Sequence, residues 1–266
     1  MTRVPWLSRA GLCSAIVALA LSAASLASQQ APIGYDDTPM QPDGKWRVHD
    51  SKRPRPPVVA TGPSASVPPP SDALVLLGSG NDLSRWQATD GSPAGWSMSD
   101  GVLATGKGMI RTRAEFTDIQ LHVEFATPAT VKGDSQDRGN SGVFLAGVFE
   151  IQVLDSFENP TYADGQAAAM YGQFPPLVNA SHKPGEWQSY DIAFSAAKFD
   201  GSTLVTPAVV TVFHNGVLVH NARPFWGPTA HKRIGQYLPS TVRGPVSLQD
   251  HGNPVRYRNI WLRQLT

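Results

Sequence analysis

Residues 207–220 have the sequence PAVVTVFHNGVLVH, in which an Asn-Gly pair separates two runs of apolar and β-branched residues. Such a pair is typical of a two-residue β-hairpin turn, because both turn positions need a positive φ. Further segments of alternating polarity lie at 120–125, 188–194 and 255–262. At most a short turn of helix is expected, at 163–171. Several short strands joined by turns predict an all-β sandwich or barrel.

The composition of the chain agrees with this prediction. The 266 residues include 24 glycines and 23 prolines, too many for a helical protein and consistent with numerous turns. A formal net charge of +1 gives no general attraction to nucleic-acid phosphates or anionic lipid. We therefore expect no nucleic-acid partner. The single cysteine, Cys13, excludes a disulfide framework and a cysteine-based zinc site.

The first 27 residues have the features of a secretory signal peptide. Arg3 and Arg9 precede an apolar stretch, and Ser25 and Ala27 place small residues at the −3 and −1 positions of a cleavage site. An uncleaved anchor helix is the alternative, but the apolar stretch is near the lower length limit for a membrane span. We expect export to the periplasm or the extracellular space, and no transmembrane span in the mature chain.

Residues 28–72 differ in character from the rest of the chain. They are rich in proline and lack periodic apolar residues, which favours an extended, solvated linker or an arm lying on the domain. Few buried contacts are expected there. The folded domain is predicted to span residues 73–266.

The first concentration of polar residues covers 138–155. Glu150 and Gln152 share one face of a predicted strand, and the apolar residues between and beside them face the other way. Asp155 joins the polar face only if a β-bulge intervenes. The spacing Glu-x-Gln-x-x-Asp resembles the bulged Glu-x-Asp-x-x-Glu arrangement of some jelly-roll glycosidases, with the central Gln as a departure. The alternative is a half-exposed strand with ordinary solvated side chains.

Two further segments carry polar side chains that could serve a site. The loop 159–176 is rich in amides and tyrosines, which offer hydrogen bonds and stacking surfaces to a sugar. At 248–252, Asp250 and His251 could form an acid/base or metal-polarising group. The alternatives are a surface loop held by internal hydrogen bonds and an ordinary turn.

Five segments together resemble one known family: NSGVFL (140–145), EIQVLDS (150–156), TYADGQ (161–166), PGEWQSYD (184–191) and LQDHG (248–252). They resemble the 3-keto-disaccharide hydrolases, also described as 3-keto-glucoside-1,2-lyase/3-keto-2-hydroxy-glucal hydratases. The resemblance covers roughly residues 73–265. It implies a concanavalin A-like jelly roll of two antiparallel sheets, with a sugar site on the concave face.

The resemblance also implies a reaction on a 3-keto-glucoside. The C3 carbonyl makes the C2 proton acidic, so a base and an acid can eliminate the C1 substituent, and water then adds to the double bond. From the chemistry of the motif residues, the candidate catalytic groups are Glu150 and Asp155, with His251 as an alternative. The candidate substrate-binding residues are Asn140, Gln152, Tyr162, Gln166, Asp250 and Arg258. A divalent metal ion could stabilise the enolate, although no residue spacing demands one.

Two other functions are compatible with the same sequence. A non-catalytic carbohydrate-binding module could use this fold, since the sandwich hosts lectins as well as hydrolases. It would depend on aromatic platforms and would not need the acids and the histidine. The other is a structural protein of the cell envelope, attached through the proline-rich arm, which would need neither the aromatic platforms nor the acids and the histidine.

Overall fold

The computed structural model describes residues 1–2, 33–63, 65–80 and 83–265. The chain divides into two units, Met1–Ala31 and Pro32–Thr266. The predicted signal peptide lies outside the described residues, apart from its first two positions. Within the described ranges, no helix is long and apolar enough to cross a membrane.

The described part of Pro32–Thr266 consists of strands, loops and three short 3₁₀ turns at Ser135–Asp137, Ala163–Gly165 and Pro239–Val242. In chain order the strands are β1 Leu74–Leu77, β2 Trp86–Ala88, β3 Ser97–Ser99, β4 Val102–Ala104, β5 Ile110–Thr112, β6 Ile119–Ala126, β7 Ser141–Leu145, β8 Phe149–Val153, β9 Gln188–Ser195, β10 Lys198–Asp200, β11 Thr203–Thr206, β12 Val209–His214, β13 Val217–Pro224, β14 Ser247–Leu248 and β15 Arg256–Gln264.

Two antiparallel sheets form the body of the domain. The larger has the order β13-β12-β9-β6-β15-β4-β3, with β1 also paired to β15. The smaller has the order β2-β5-β14-β7-β8, and β10 and β11 form a separate hairpin. The prediction of an all-β, concanavalin A-like sandwich of two antiparallel sheets is confirmed. The predicted turn is also present, with φ of 50° at Asn215 and 77° at Gly216.

The alternation of apolar residues explains why the two sheets pack together. On β6 and β9 the inward side chains are almost completely buried, as are those of β7 and β8. The Tyr190 hydroxyl on β9 donates to the Gln152 carbonyl on β8 at 2.7 Å, which ties the two sheets across the core. The core residues of these four strands are Ile119, Leu121, Val123, Phe125, Tyr190, Ile192, Phe194, Val143, Leu145, Phe149, Ile151 and Val153.

The proline-rich segment packs along the domain as an arm. The expectation of few buried contacts is wrong here, since Val48 is 1% exposed and His49 is fully buried. Farther along, the Asn179 backbone N–H donates to the Pro57 carbonyl at 2.8 Å, and Asn259 Nδ2 donates to the Val67 carbonyl at 2.8 Å. Proline leaves the arm extended, and side chains and backbone groups of the domain supply the hydrogen bonds that it cannot make internally.

Candidate functional site

A cleft of about 540 Å³ lies over β7 and β8, on the face of the smaller sheet that points away from the core. Its other walls are formed by the turn that carries Gln136, by the loops around 162–171, 229–231 and 249–251, and by Tyr35 of the arm. Its lining residues are Tyr35, Gln136, Asn140, Phe144, Glu150, Gln152, Tyr162, Tyr171, Thr229, Ala230, His231, Gln249 and His251.

The β7–β8 hairpin places an acid and an aromatic ring side by side in this cleft. Phe144 pairs with Glu150 and Gly142 pairs with Gln152, so all four positions share the cleft face. Gly142 leaves space for the acid, because a Cβ at this position would overlap Glu150 Oε1. The predicted alternation of this strand therefore correctly gives the direction of Glu150 and Gln152.

Glu150 is a buried carboxyl group, and no positive charge among the described residues offsets the effect of burial on its ionised form. Glu150 is only 5% exposed, and this burial raises the pKa of its carboxyl group to about 8. The backbone is fixed as well, since the Glu150 N–H donates to Thr229 Oγ1 at 2.9 Å. At neutral pH this carboxyl is therefore mostly protonated and can donate a proton.

Three side-chain amides form the polar floor beside Glu150. Gln152 Nε2 donates to Gln136 Oε1 at 2.9 Å, and Asn140 Nδ2 donates to the Gln136 carbonyl at 2.7 Å. If the Gln152 amide is rotated, its nitrogen lies 3.1 Å from Glu150 Oε1. Gln136 Nε2 already donates to Thr161 Oγ1 and to the Gly165 carbonyl, and Gln152 Nε2 also donates to Asn140 Oδ1. Asn140 Nδ2 makes one such bond, so its second proton can be donated to an oxygen of a bound sugar.

On another wall, a chain of hydroxyl groups leads to an imidazole. The Tyr162 and Tyr171 hydroxyls are 2.9 Å apart, and the Tyr171 hydroxyl lies 3.0 Å from His231 Nδ1. Burial raises the pKa of both tyrosines and lowers the pKa of His231. The phenols therefore remain protonated, and His231 remains a neutral imidazole with one nitrogen fixed by Tyr171.

Of the predicted site residues, the cleft brings together Glu150, His251, Asn140, Gln152 and Tyr162. Asp155 does not line this cleft. β8 ends at Val153, so Asp155 lies beyond the strand and does not share its polar face with Glu150 and Gln152. Instead, Arg138 Nε donates to Asp155 Oδ2 at 2.6 Å, beside a separate cavity. Burial raises the pKa of Asp155, although the Arg138 pair acts in the opposite direction.

Three predicted substrate-binding residues also lie outside the cleft. Gln166 borders a groove between the arm and the domain. Asp250 accepts hydrogen bonds from the backbone N–H groups of Gly108 and Gly252, which fixes it within its turn. Arg258 belongs to the larger sheet, where its Nε donates to Glu124 Oε2 at 2.6 Å.

Several cleft residues were not found from the sequence. Tyr171 lies in the loop that we singled out for its tyrosines, so its composition was a usable signal. His231 lies in the loop after β13 and Tyr35 lies in the proline-rich arm, and neither belongs to a periodic pattern or a motif. Lys232 is next to His231, and its ammonium group lies 3.5 Å from the centre of the Tyr35 ring.

The described residues contain no group of three or more His, Cys, Asp or Glu side chains placed to hold a metal ion. The described part of the chain therefore offers no set of ligands for the divalent ion that we considered from the sequence. Among the described residues that line the cleft, the carboxyl and imidazole groups available for proton transfer are those of Glu150, His231 and His251.

Comparison with known proteins places this site in a recognised domain. Residues 73–263 match the model of the 3-keto-alpha-glucoside-1,2-lyase-like domain. A crystal structure of a proposed glycosyl hydrolase from Parabacteroides distasonis ATCC 8503 is 41% identical, with a TM-score of 0.69, over 80% of this chain and 93% of that chain. A second such structure from the same organism is 20% identical, with a TM-score of 0.52, over 70% of this chain and 92% of that chain, and it supports the fold alone.

No curated protein matches the chain. The family model nevertheless covers most of the sequence, including both strands of the cleft and all of its lining residues except Tyr35. The chain therefore belongs to the 3-keto-alpha-glucoside-1,2-lyase-like family.

Proposed function

We propose that this protein cleaves 3-keto-glycosides by eliminating the C1 substituent and then hydrating the resulting 2-hydroxy-glucal. The observation that carries the proposal is the buried Glu150 carboxyl, whose raised pKa keeps it protonated in a cleft that also holds a neutral imidazole. An acid and a base on one cleft are what elimination next to a carbonyl requires.

In the first half of the reaction, His231 removes the proton from C2 of the bound sugar. The electrons of the C2–H bond form the C1–C2 double bond as the C1–O bond breaks. Glu150 transfers its proton to the departing oxygen and becomes a carboxylate. The product is a 3-keto-2-hydroxy-glucal, and the two protein groups have exchanged their protonation states.

In the second half, the same two groups act in reverse. The Glu150 carboxylate takes a proton from water, whose oxygen attacks C1. The protonated His231 returns a proton to C2. The net result is hydrolysis of the glycoside, and both side chains regain their starting states.

The Asn140 amide nitrogen is suited to bind the C3 oxygen while negative charge develops on it, and hydrogen bonds with Gln136 and Gln152 hold this amide in place. Phe144 and Tyr35 offer aromatic surfaces to the sugar ring. A binding module would use such surfaces but would gain nothing from a buried, protonated carboxyl, which costs folding free energy. This cost favours catalysis over binding alone.

The test is turnover of a 3-keto-glucoside in D₂O, followed by NMR of the product. We expect release of the aglycone and deuterium at C2, and no cleavage of the matching glucoside that carries a hydroxyl at C3. Complete retention of the original C2 hydrogen would refute the elimination route. His231→Gln and His251→Gln identify the base, and we expect the larger loss of turnover for His231→Gln.

A further inference from the structure

The imidazole of His49 has no part in the steps above, yet it contacts the rings that line the cleft. Its ring centre is 4.1 Å from that of Tyr162, 4.7 Å from that of Tyr171 and 5.2 Å from that of His231. His49 itself is fully buried and lies behind these rings instead of lining the cleft. A displacement of His49 would therefore be transmitted to the imidazole that we propose as the base.

A buried carboxylate from the domain fixes His49 in place. The His49 backbone N–H donates to Asp164 Oδ2 at 3.0 Å, and His49 Nδ1 lies 3.1 Å from Asp164 Oδ1. Gln41, also from the arm, donates through Nε2 to Asp164 Oδ2 at 3.2 Å. Because the carboxylate accepts, Nδ1 carries the proton, and His49 Nε2 is left without a hydrogen-bond partner among the described residues.

Two features of His49 cost folding free energy. Its φ of 56° places a non-glycine residue in the left-handed region, and its Nε2 is a buried polar atom with no partner. Gly34 accommodates this conformation, since a Cβ there would approach the His49 carbonyl oxygen to 2.6 Å. Strained and unpaired groups of this kind persist mainly where function requires them.

We propose that His49, supplied by an arm that precedes the matched family domain, is a positioning residue for the Tyr162–Tyr171–His231 chain. Its ring supports the two tyrosines from behind, and its pair with Asp164 prevents the ring from turning. Tyr171 is thereby kept within hydrogen-bond distance of His231 Nδ1. This inference rests on the proposed role of His231 as the base.

The test uses the full-length chain with His49→Phe, which keeps a ring but removes both nitrogens, and His49→Asn, which keeps a donor near Nδ1 but removes the ring. We measure kcat, KM and the NMR titration of the His231 imidazole. Misplacement of the base should lower kcat about tenfold or more in both variants while KM changes little. The His231 titration should also shift, because a displaced Tyr171 hydroxyl no longer lies within hydrogen-bond distance of His231 Nδ1.

Val48→Ala is the matched control, since Val48 is the buried neighbour of His49 in the same arm. It should lower the melting temperature and leave kcat and the His231 titration of the folded protein unchanged. Wild-type kcat and an unchanged titration in the His49 variants would overturn the proposal, as would an equal loss of kcat in Val48→Ala. The titration needs no substrate, so it tests the positioning role even if no 3-keto-glucoside is turned over.

Discussion

The carboxyl group of Glu150 occupies the space that a side chain at Gly142 would fill. The two residues lie on neighbouring strands, where Gly142 pairs with Gln152, two positions along β8 from Glu150. The missing side chain on β7 thus creates the pocket in which a carboxyl can be buried and its pKa raised. A glycine in the interior of a strand usually weakens it, and here it marks a close approach at the site.

Gly142→Ala should displace the Glu150 carboxyl and reduce turnover by about tenfold or more. The backbone at this position needs no positive φ, so we expect only the cost of overpacking, about 1–3 kcal/mol of unfolding free energy. Kinetic assays and thermal melts measure the two effects. Gly62→Ala is the control, because a Cβ at Gly62 meets nothing within 4 Å and should change neither quantity. Unchanged turnover in Gly142→Ala would show that the space at Gly142 is not needed to place the Glu150 carboxyl for catalysis.

Glu150→Gln should reduce turnover by about 10²–10⁴-fold, because the amide cannot exchange the proton. The same variant should be more stable than the wild type at pH 8. A carboxyl whose pKa rises from its usual value to about 8 on folding destabilises the fold progressively as the pH rises from about 4.5 to about 8. The gain should be roughly 1–4 kcal/mol at pH 8 and should disappear near pH 4. If Glu150→Gln and the wild type had equal melting temperatures at pH 4 and also at pH 8, the pKa of Glu150 would not be raised on folding.

Wild-type activity should fall as the pH rises through about 8, because Glu150 must be protonated to act as the acid. Because burial lowers the pKa of His231, the acidic limit of activity should lie below the pH at which an ordinary histidine becomes protonated. The pH profile of kcat/KM measures both limits. A profile that rises steadily to pH 10 would exclude Glu150 as the acid.

Asp155→Asn should act on stability more than on catalysis. It removes the charge of the pair with Arg138 at a residue that is 2% exposed, and the cost should be about 1–3 kcal/mol. Since Asp155 lies outside the cleft, kcat of the folded variant should stay within about threefold of the wild type. A loss as large as that of Glu150→Gln would instead support the predicted catalytic role of Asp155.

A chain that begins at Ser71 should be less stable than one that begins at Ser28. Without the arm, the buried Asp164 loses the hydrogen bonds from Gln41 and from His49, at a cost of roughly 3 kcal/mol or more. Thermal melts of the two chains measure the difference. Identical melting temperatures would show that the arm is dispensable.

Export remains a prediction from the sequence. The charged and apolar pattern of residues 1–27 should direct the chain out of the cytoplasm, and N-terminal sequencing of protein from the native host should begin near Ser28. Recovery of intact Met1 from the cytoplasm would contradict it.

The sequence by itself determined the all-β sandwich and the direction of Glu150 and Gln152, because a strand repeats every two residues and the apolar partners of these side chains must face the core. It could not determine which polar residues join them. Tyr35, His49 and His231 come from an arm and a loop without a repeating pattern, and His49 meets Asp164 across 115 positions of sequence. Asp155 and Arg258 belong to the motifs that we singled out, but β8 ends before Asp155, which pairs with Arg138, and Arg258 lies in the larger sheet, where it pairs with Glu124. Local periodicity is fixed by neighbouring residues, whereas the composition of a cleft depends on long-range packing that only the tertiary structure decides.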